Sequence, residues 1–231
     1  MEKNWVVTAS YGELILKGKN RMRFVNDAER QIKKLIREIP VKKTYAQMGM
    51  FFIEVDEAYV NETVKQLQKV FGVIYVTPTL KVNKTLDDIA EACNFLVESK
   101  LMQLKGGEPY RNQFTFKVEG KRSDKSFPLN SLELSMEMGG RILDAQGDKI
   151  KVDVHKPDFR VHIDIRDSAH IYVDRYQGLG GLPWGSGGKG LLLLSGGIDS
   201  PAAGFEMARR GLEIGGVHFH AYPFTSERAQ D

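Results

Sequence analysis

The stretch Gly190-Leu191-Leu192-Leu193-Leu194-Ser195-Gly196-Gly197-Ile198-Asp199-Ser200-Pro201 decides how this chain is read. A short apolar run leads into paired glycines, and Pro201 opens a helical pattern that reaches Arg210. Glycines let backbone turn tightly and approach a ligand with no Cβ in the way. Successive N–H groups and a helix N-terminus then converge on one concavity, which suits phosphate. Ser195 and Ser200 add hydroxyl donors. Asp199 repels phosphate by itself, so it suggests a bridging Mg²⁺ or an orienting role. Gly211 ends the helix, and Ile214 to Phe219 reads as the next strand. This is one β-α-β unit of a parallel, doubly wound α/β sheet, with Gly190–Leu194 expected as a buried strand. The plain alternative is a glycine-rich strand-to-helix turn that holds nothing.

Two other glycine motifs are excluded. No G-x-x-x-x-G-K-[ST] exists, because Lys189 is followed by Gly190 and Pro183 stands five before Gly188. Gly185, Gly187 and Gly190 match G-x-G-x-x-G, but they precede the strand, whereas the dinucleotide fingerprint follows one.

Upstream lies a composition boundary. Positions 178 to 197 hold nine glycines in twenty residues, against ten in the preceding 177. Residues 176–189 therefore read as a glycine-rich linker. Residues 190–231 read as the start of a further domain, because one β-α-β unit cannot cover both faces of its own sheet.

Residues 1–80 alternate between the two structural periods. Trp5 to Ala9 reads as a strand. Asn20 is a candidate N-cap for a helix with Phe24, Ala28, Ile32, Leu35, Ile36 and Ile39 at helical spacing, stopped by Pro40. Val41 to Tyr45 and Met50 to Val55 pair as a hairpin. A helix with Val60, Val64, Leu67 and Val70 inward follows, then a strand from Val73 to Leu80. The order β-α-β-β-α-β is the ferredoxin-like arrangement, an α+β unit. Residues 81–175 form a second unit. It has helices at Leu86–Gln103 and Ser126–Leu143, a strand at Gln113–Val118, and three late strands, Ile150–Val154, Phe159–Ile165 and His170–Val173. In the middle one, Val161, Ile163 and Ile165 alternate with His162, Asp164 and Arg166.

Composition excludes several classes. The 231 residues are 42% hydrophobic and 27% charged, the balance of a folded domain and not of a disordered chain. No apolar run nears the ~18–20 residues of a membrane span, and no signal-peptide core follows Met1. The single Cys93 excludes an intramolecular disulfide and a cysteine-rich zinc site, so a reducing, cytoplasmic location is expected. Cys93 sits on an apolar helix stripe and reads as a buried structural thiol. His218 and His220 have same-face spacing on a strand but no third ligand, so no metal site is assigned.

The net charge of +3 says little, but its distribution says more. Lys17, Lys19, Arg21 and Arg23 place four cations in seven residues with no acid between them. Lys121, Arg122 and Lys125 surround Phe127. Such clusters suit phosphate contacts, and Tyr11, Tyr110 or Phe127 could stack on a base. The plain alternative for each cluster is a solvated face, which is the reading adopted for Arg30, Lys33, Lys34 and Arg37.

Ser195-Gly196-Gly197-Ile198-Asp199-Ser200 after an apolar strand resembles the loop of the PP-loop ATP pyrophosphatases. The wider pattern is similar to the 4-thiouridine synthetases of tRNA, the ThiI family. It comprises Tyr11-Gly12-Glu13, Lys17-Gly18-Lys19-Asn20-Arg21, Lys121 to Pro128, Val152 to Asp158 and Gly178 to Lys189. The resemblance covers essentially the whole chain. It implies a ferredoxin-like domain, a THUMP domain that binds RNA, and the first part of a PP-loop domain. It also implies ATP-dependent thiolation of uridine 8 of tRNA. Uridine O4 is adenylated, and persulfide sulfur from a cysteine desulfurase displaces AMP. Sulfur delivery to the thiazole of thiamine is implied too, and a homodimer is compatible. By resemblance, Leu193, Leu194, Ser195, Gly196, Gly197, Asp199, Ser200, His218 and Phe219 would hold Mg·ATP, with Asp199 catalytic. Lys17, Lys19, Arg21, Lys121, Arg122 and Lys125 would bind tRNA. The family's reactive cysteine has no counterpart here, so the polypeptide alone is expected to be inactive. The alternative is a non-catalytic tRNA-binding fragment.

Overall fold

The computed structural model describes residues 4–47, 49–195 and 197–219. Its first unit runs β1 (Asn4–Tyr11), α1 (Arg21–Leu35), β2 (Val41–Gln47), β3 (Met50–Val55), α2 (Val60–Leu67) and β4 (Val73–Val82). This is the expected β-α-β-β-α-β order. Asn20 does precede α1, but its side chain caps nothing. Its backbone is already helical (φ −88°, ψ −2°), because a short 3₁₀ turn, Gly18–Asn20, runs straight into the helix.

The second unit runs α3 (Leu86–Gly107), β5 (Phe114–Arg122), α4 (Ser131–Gln146), β6 (Ile150–Val152), β7 (Phe159–Ile165) and β8 (Ala169–Tyr172). α4 starts five residues later than the sequence pattern suggests. Asn130 accepts hydrogen bonds from the N–H groups of Leu132 and Glu133, and Glu133 reaches back to the Asn130 N–H. That reciprocal cap fixes the start and leaves 126–129 as a turn.

The two units share one sheet. Its order is β2-β3-β1-β4-β8-β7-β5-β6, and β9 (Tyr176–Gln177) also pairs with β4. The joint is antiparallel pairing of β4 with β8, from Leu80↔Ile171 to Val82↔Ala169. One continuous core then forms on a single face. Trp5, Val7 and Ala9 of β1 and Phe114 and Phe116 of β5 pack there with Ile32, Leu67, Cys93 and Met138 from the four helices. The alternate strand positions point to the opposite face.

The glycine-rich stretch is more than a tether. Gly178 N–H donates to Ile74 O at 2.9 Å, Gly180 N–H to Val73 O at 2.8 Å, and Leu182 N–H to Arg209 O at 2.9 Å. A Cβ at Gly178 would lie 2.4 Å from Val73 O, so only glycine lets these backbones approach. The stretch straps the sheet to the third unit, which comprises β10 (Lys189–Leu194), α5 (Asp199–Arg209) and β11 (Glu213–His218). β10 and β11 pair in parallel, Lys189↔Glu213 through Leu194↔His218, as expected. The expectation of a buried β10 fails: Leu191 is 71% and Leu193 63% exposed. Two strands and one helix offer too little surface to cover both faces of a parallel sheet.

Candidate functional site

β10 ends at Leu194, and α5 begins at Asp199. The loop between them is tied by its two serines. Ser195 N–H donates to Ser200 Oγ at 3.3 Å, and the two hydroxyl oxygens lie 3.4 Å apart. Both hydroxyls thus sit at the N-terminal end of α5, where the helix dipole adds partial positive charge. Gly197 and Asp199 are exposed beside them. Gly196, the remaining loop residue of the motif, lies outside the described residues.

The four residues implied to flank adenine come together. The parallel register sets Leu194 beside His218. His218 Nδ1 lies 3.0 Å from the Leu194 carbonyl oxygen, so it carries the hydrogen and donates. Leu193 precedes Leu194, and Phe219 follows His218, 76% exposed. These are the carboxyl ends of adjacent parallel strands, the general location of ligand sites in open α/β sheets. Asp199 belongs to no group of three or more His, Cys, Asp or Glu among the described residues. The donor set fits Mg²⁺ only as one carboxylate sharing the ion with phosphate oxygens, a common arrangement for that ion. His220 lies outside the described residues.

The basic residues fall into two groups that the fold keeps apart. Lys19 and Arg21 are exposed at the entry to α1. Lys17 is partly neutralised, since its Nζ lies 3.3 Å from Glu13, an acid one turn upstream that the spacing of the cations does not reveal. Lys121 lies at the far end of the sheet. The register runs Lys121↔Asp164, Asp164↔His170, His170↔Lys81 and Lys81↔Asn4, whereas Lys17 follows Tyr11 at the other end of β1. Eight strand residues and four strand spacings put roughly 30 Å between the groups.

Lys121 and Arg122 also diverge. They are consecutive on a strand, so they face opposite sides. Lys121 is exposed on the open face. Arg122 turns to the helix side, where its Nη1 donates to Phe127 O at 3.3 Å. Lys125 is exposed on the turn. That turn is held by Asp124, which accepts from Lys84 Nζ at 2.6 Å and from Ser126 Oγ at 2.7 Å. The Lys84 hydrogen bond foremost, then those from Ser126, holds the Asp124 carboxyl well below the usual carboxylate range.

Two expected stacking groups are unavailable. Phe127 is 5% exposed and Tyr11 4%, both in the core. Each aromatic falls on the inward-facing side of its segment, which its neighbouring charges did not indicate. Tyr110 is 97% exposed and stays free to stack. The fold adds groups that the sequence reading had passed over. His162, Arg166, His170, Tyr172 and Arg175 line an open-face cavity of about 430 Å³ together with Lys121. The alternation His162-x-Asp164-x-Arg166, along β7 and one residue past its end, was their only visible signal. Cys93 is fully buried, and burial pushes its thiol up to about 12.

Comparison with known proteins places these pieces. Residues 6–77 match the ThiI ferredoxin-like domain, residues 83–174 the THUMP domain, and residues 185–231 the family described as thiamine biosynthesis protein (ThiI). A protein of Finegoldia magna named "Probable tRNA sulfurtransferase" is 42% identical over 97% of this chain and 56% of its own length. A namesake from Staphylococcus aureus is 40% identical over 96% of this chain and 52% of its own. Among solved structures, a 4-thiouridine synthetase in complex with RNA and bound ATP matches with a TM-score of 0.84. It is 35% identical, over 98% of this chain and 55% of that one. A Pyrococcus horikoshii protein matches with a TM-score of 0.78 at 27% identity, over 98% of this chain and 72% of that one. The chain thus spans little more than half the length of the curated relatives it matches. It carries, in order, a ThiI ferredoxin-like domain, a THUMP domain and the start of a ThiI PP-loop domain with its Ser-Gly-Gly-x-Asp-Ser loop.

Proposed function

We propose that this chain is the RNA-docking and ATP-loop portion of an ATP-dependent tRNA sulfurtransferase that makes 4-thiouridine. One observation carries the reading. The Ser195 and Ser200 hydroxyls converge at the N-terminus of α5, beside the Leu194–His218 strand ends, in a chain that aligns over 98% of its length with a synthetase bound to RNA and ATP.

In this reading the Ser195–Ser200 loop receives the phosphates of ATP, and Leu193, Leu194, His218 and Phe219 flank the adenine. Asp199 would share Mg²⁺ with the phosphates, and the ion would offset their charge. O4 of uridine 8 attacks the α-phosphorus, and pyrophosphate leaves. Negative charge builds on the phosphoryl oxygens, where loop N–H groups and the serine hydroxyls are preorganised donors. The outer sulfur of a persulfide, supplied through a cysteine desulfurase, then attacks C4 and displaces AMP, and a second thiol cleaves the resulting S–S bond, freeing 4-thiouridine and ending in a disulfide with the carrier. Lys17, Lys19, Arg21, Lys121 and Lys125 contact tRNA phosphates, while Arg122 supports the turn that carries Lys125. Sulfur delivery to the thiamine thiazole, a homodimer and a cytoplasmic location belong to the same proposal. A second reading, tRNA binding without adenylation by this polypeptide, draws on the exposed leucines of β10.

The test is a titration with unmodified tRNA at several salt concentrations, with and without Mg·ATP. Tight, salt-dependent tRNA binding by this chain, joined in a full-length relative by ATP-dependent pyrophosphate release that Asp199→Ala abolishes with tRNA affinity retained, supports the first reading. RNA binding indifferent to ATP selects the second. Absence of both defeats the proposal.

A further inference from the structure

The motif Tyr11-Gly12-Glu13 and the glycines from Gly178 to Gly181 are distant in sequence, yet backbone hydrogen bonds link them. Gly12 N–H donates to Gly72 O at 3.2 Å, and Gly72 N–H donates to Gly180 O at 2.7 Å. Gly180 N–H in turn donates to Val73 O at 2.8 Å, so the strap is gripped from both Gly72 and Val73. Two residues on, Leu182 N–H reaches Arg209 O at the carboxyl end of α5.

Each end of this relay carries a group that the proposed function uses. Gly12 precedes the 3₁₀ turn Glu13–Leu16, which leads through Lys17 into the turn Gly18–Asn20 and on to Arg21. Tyr11 anchors this segment in the core, Leu14 is fully buried, and Glu13 pairs with Lys17. At the other end, α5 runs from Arg209 back to Asp199, 11 residues or ~16 Å, and the Ser195–Ser200 loop sits on its first turn.

The relay has no room for side chains. A Cβ on Gly12 would lie 2.4 Å from Ile74 Cγ2, and one on Gly72 would lie 2.8 Å from Leu14 Cδ1. Gly72 also has φ +97°, a conformation that L side chains rarely adopt. Two glutamines clamp the strap from outside. Gln68 Nε2 donates to Gln177 O at 2.9 Å, and Gln31 Nε2 donates to Trp184 O at 3.1 Å. Units joined by a small polar interface move against each other by default. Here the joint is fastened through the main chain, at glycines that bring no packing of their own.

We infer that Gly12, Gly72, Gly178 and Gly180 are positioning residues. They fasten the Lys17–Arg21 turn and the base of α5 into one body, so that RNA docked on the turn meets the Ser195–Ser200 loop at a fixed distance and angle. What the two ends hold rests on the function proposed above. The joint adds how the target base is aligned with the nucleotide. The four glycines act through the turn and the helix, not on the reacting atoms.

The experiment measures a double electron–electron resonance distance on this chain, with nitroxides at Leu16→Cys and Ala203→Cys, both exposed positions. Cys93 is buried and stays unlabelled. The otherwise unsubstituted chain is expected to give one narrow distance. Gly178→Ala, whose Cβ would sit 2.4 Å from Val73 O, is expected to broaden it. A control pair at Leu16→Cys and Met102→Cys, both exposed and both before the strap, is expected to stay narrow with and without Gly178→Ala. A Leu16–Ala203 distance that is broad without Gly178→Ala, or still narrow with it, overturns the inference. Broadening of the control pair would report unfolding, and Gly181→Ala then replaces Gly178→Ala under the same criteria. In a full-length relative, the change equivalent to Gly178→Ala is expected to lower turnover on tRNA on the order of 10²-fold while leaving tRNA affinity and the KM for ATP unaltered. Unchanged turnover there also overturns the inference. The distances need neither RNA nor ATP, so a relative that performs no thiolation would defeat the proposed function and leave the joint standing.

Discussion

The ring of Phe71, at the entry to β4, lies against the ring of Phe205 on α5, with centroids 5.7 Å apart and planes at 53°. This contact joins the nine-stranded sheet to the helix whose first turn carries the Ser195–Ser200 loop. The glycine strap reinforces it. Gly181 has φ +75°, and a Cβ there would sit 2.2 Å from Arg209 O at the other end of α5. Gly181→Ala is therefore expected to unseat α5 at a cost of about 1–3 kcal/mol, from backbone strain plus collision. Gly188→Ala shares a positive φ (+100°) but meets nothing within 4 Å, so it should cost less. Limited proteolysis within residues 176–189 reads the difference, and equal cleavage of the two variants would refute the seat.

Lys121 and Arg122 should part company under substitution although they are neighbours in the chain. Lys121→Ala removes an exposed cation and is expected to reduce the slope of log affinity for tRNA against log salt by roughly 0.7–0.9, with stability unchanged. Arg122→Ala breaks the hydrogen bond to Phe127 O and is expected to lower the denaturation midpoint while changing the salt slope little. A salt series and a urea titration on each single variant check this. Matching behaviour of the two would mean that they face the same side.

His170 is expected to make the fold less stable in mild acid. Burial above all, then nearby Arg166, holds its pKa down to about 4 from 6.5. Between those two values the folded chain keeps the imidazole neutral while the unfolded chain binds a proton. The unfolded state then carries more protons, so stability rises with pH across that interval and falls as pH drops from about 6.5 toward 4. His170→Gln should flatten that part of the profile. Urea midpoints at pH 7 and pH 5 suffice, and a wild-type slope retained in the variant would assign the sensitivity elsewhere.

The units of the fold were legible because each is written in local periodicity. Ala28 and Ile32 of α1, the alternation in β7 and the glycine turn after Leu194 announce their elements without tertiary context. The joining of two units into one sheet was not legible. It depends on the Leu80–Val82 pairing with Ala169–Ile171, and nothing local in either strand specifies a partner some ninety residues away. The Ser195–Ser200 loop was readable for the same reason as the helices, being contiguous. The basic surfaces were not. Lys17 acquires Glu13, and Arg122 turns from Lys121 because consecutive strand residues face opposite ways. The rings of Tyr45, Phe52, Tyr75, His162 and Tyr172 on the open sheet face come from β2, β3, β4, β7 and β8, so only the sheet brings them together.

Cys93 tests whether the only thiol takes part in sulfur chemistry. It lies at 0% exposure within α3, packed in the common core, and burial pushes its pKa up to about 12. Thiolate is the reactive form, so a group this high and this enclosed should react with an aromatic disulfide reagent only when the core opens. The modification rate is expected to follow the global unfolding rate and to rise in urea with it. Cys93→Ser places a hydroxyl in the same apolar site and should destabilise the fold by about 1–3 kcal/mol while leaving RNA affinity intact. In a longer relative that performs thiolation, the equivalent change should leave turnover unaltered below its unfolding temperature. Fast labelling of the native chain would reverse the assignment of Cys93 as an enclosed packing residue, and loss of turnover in a folded variant would make it a participant in the sulfur chemistry.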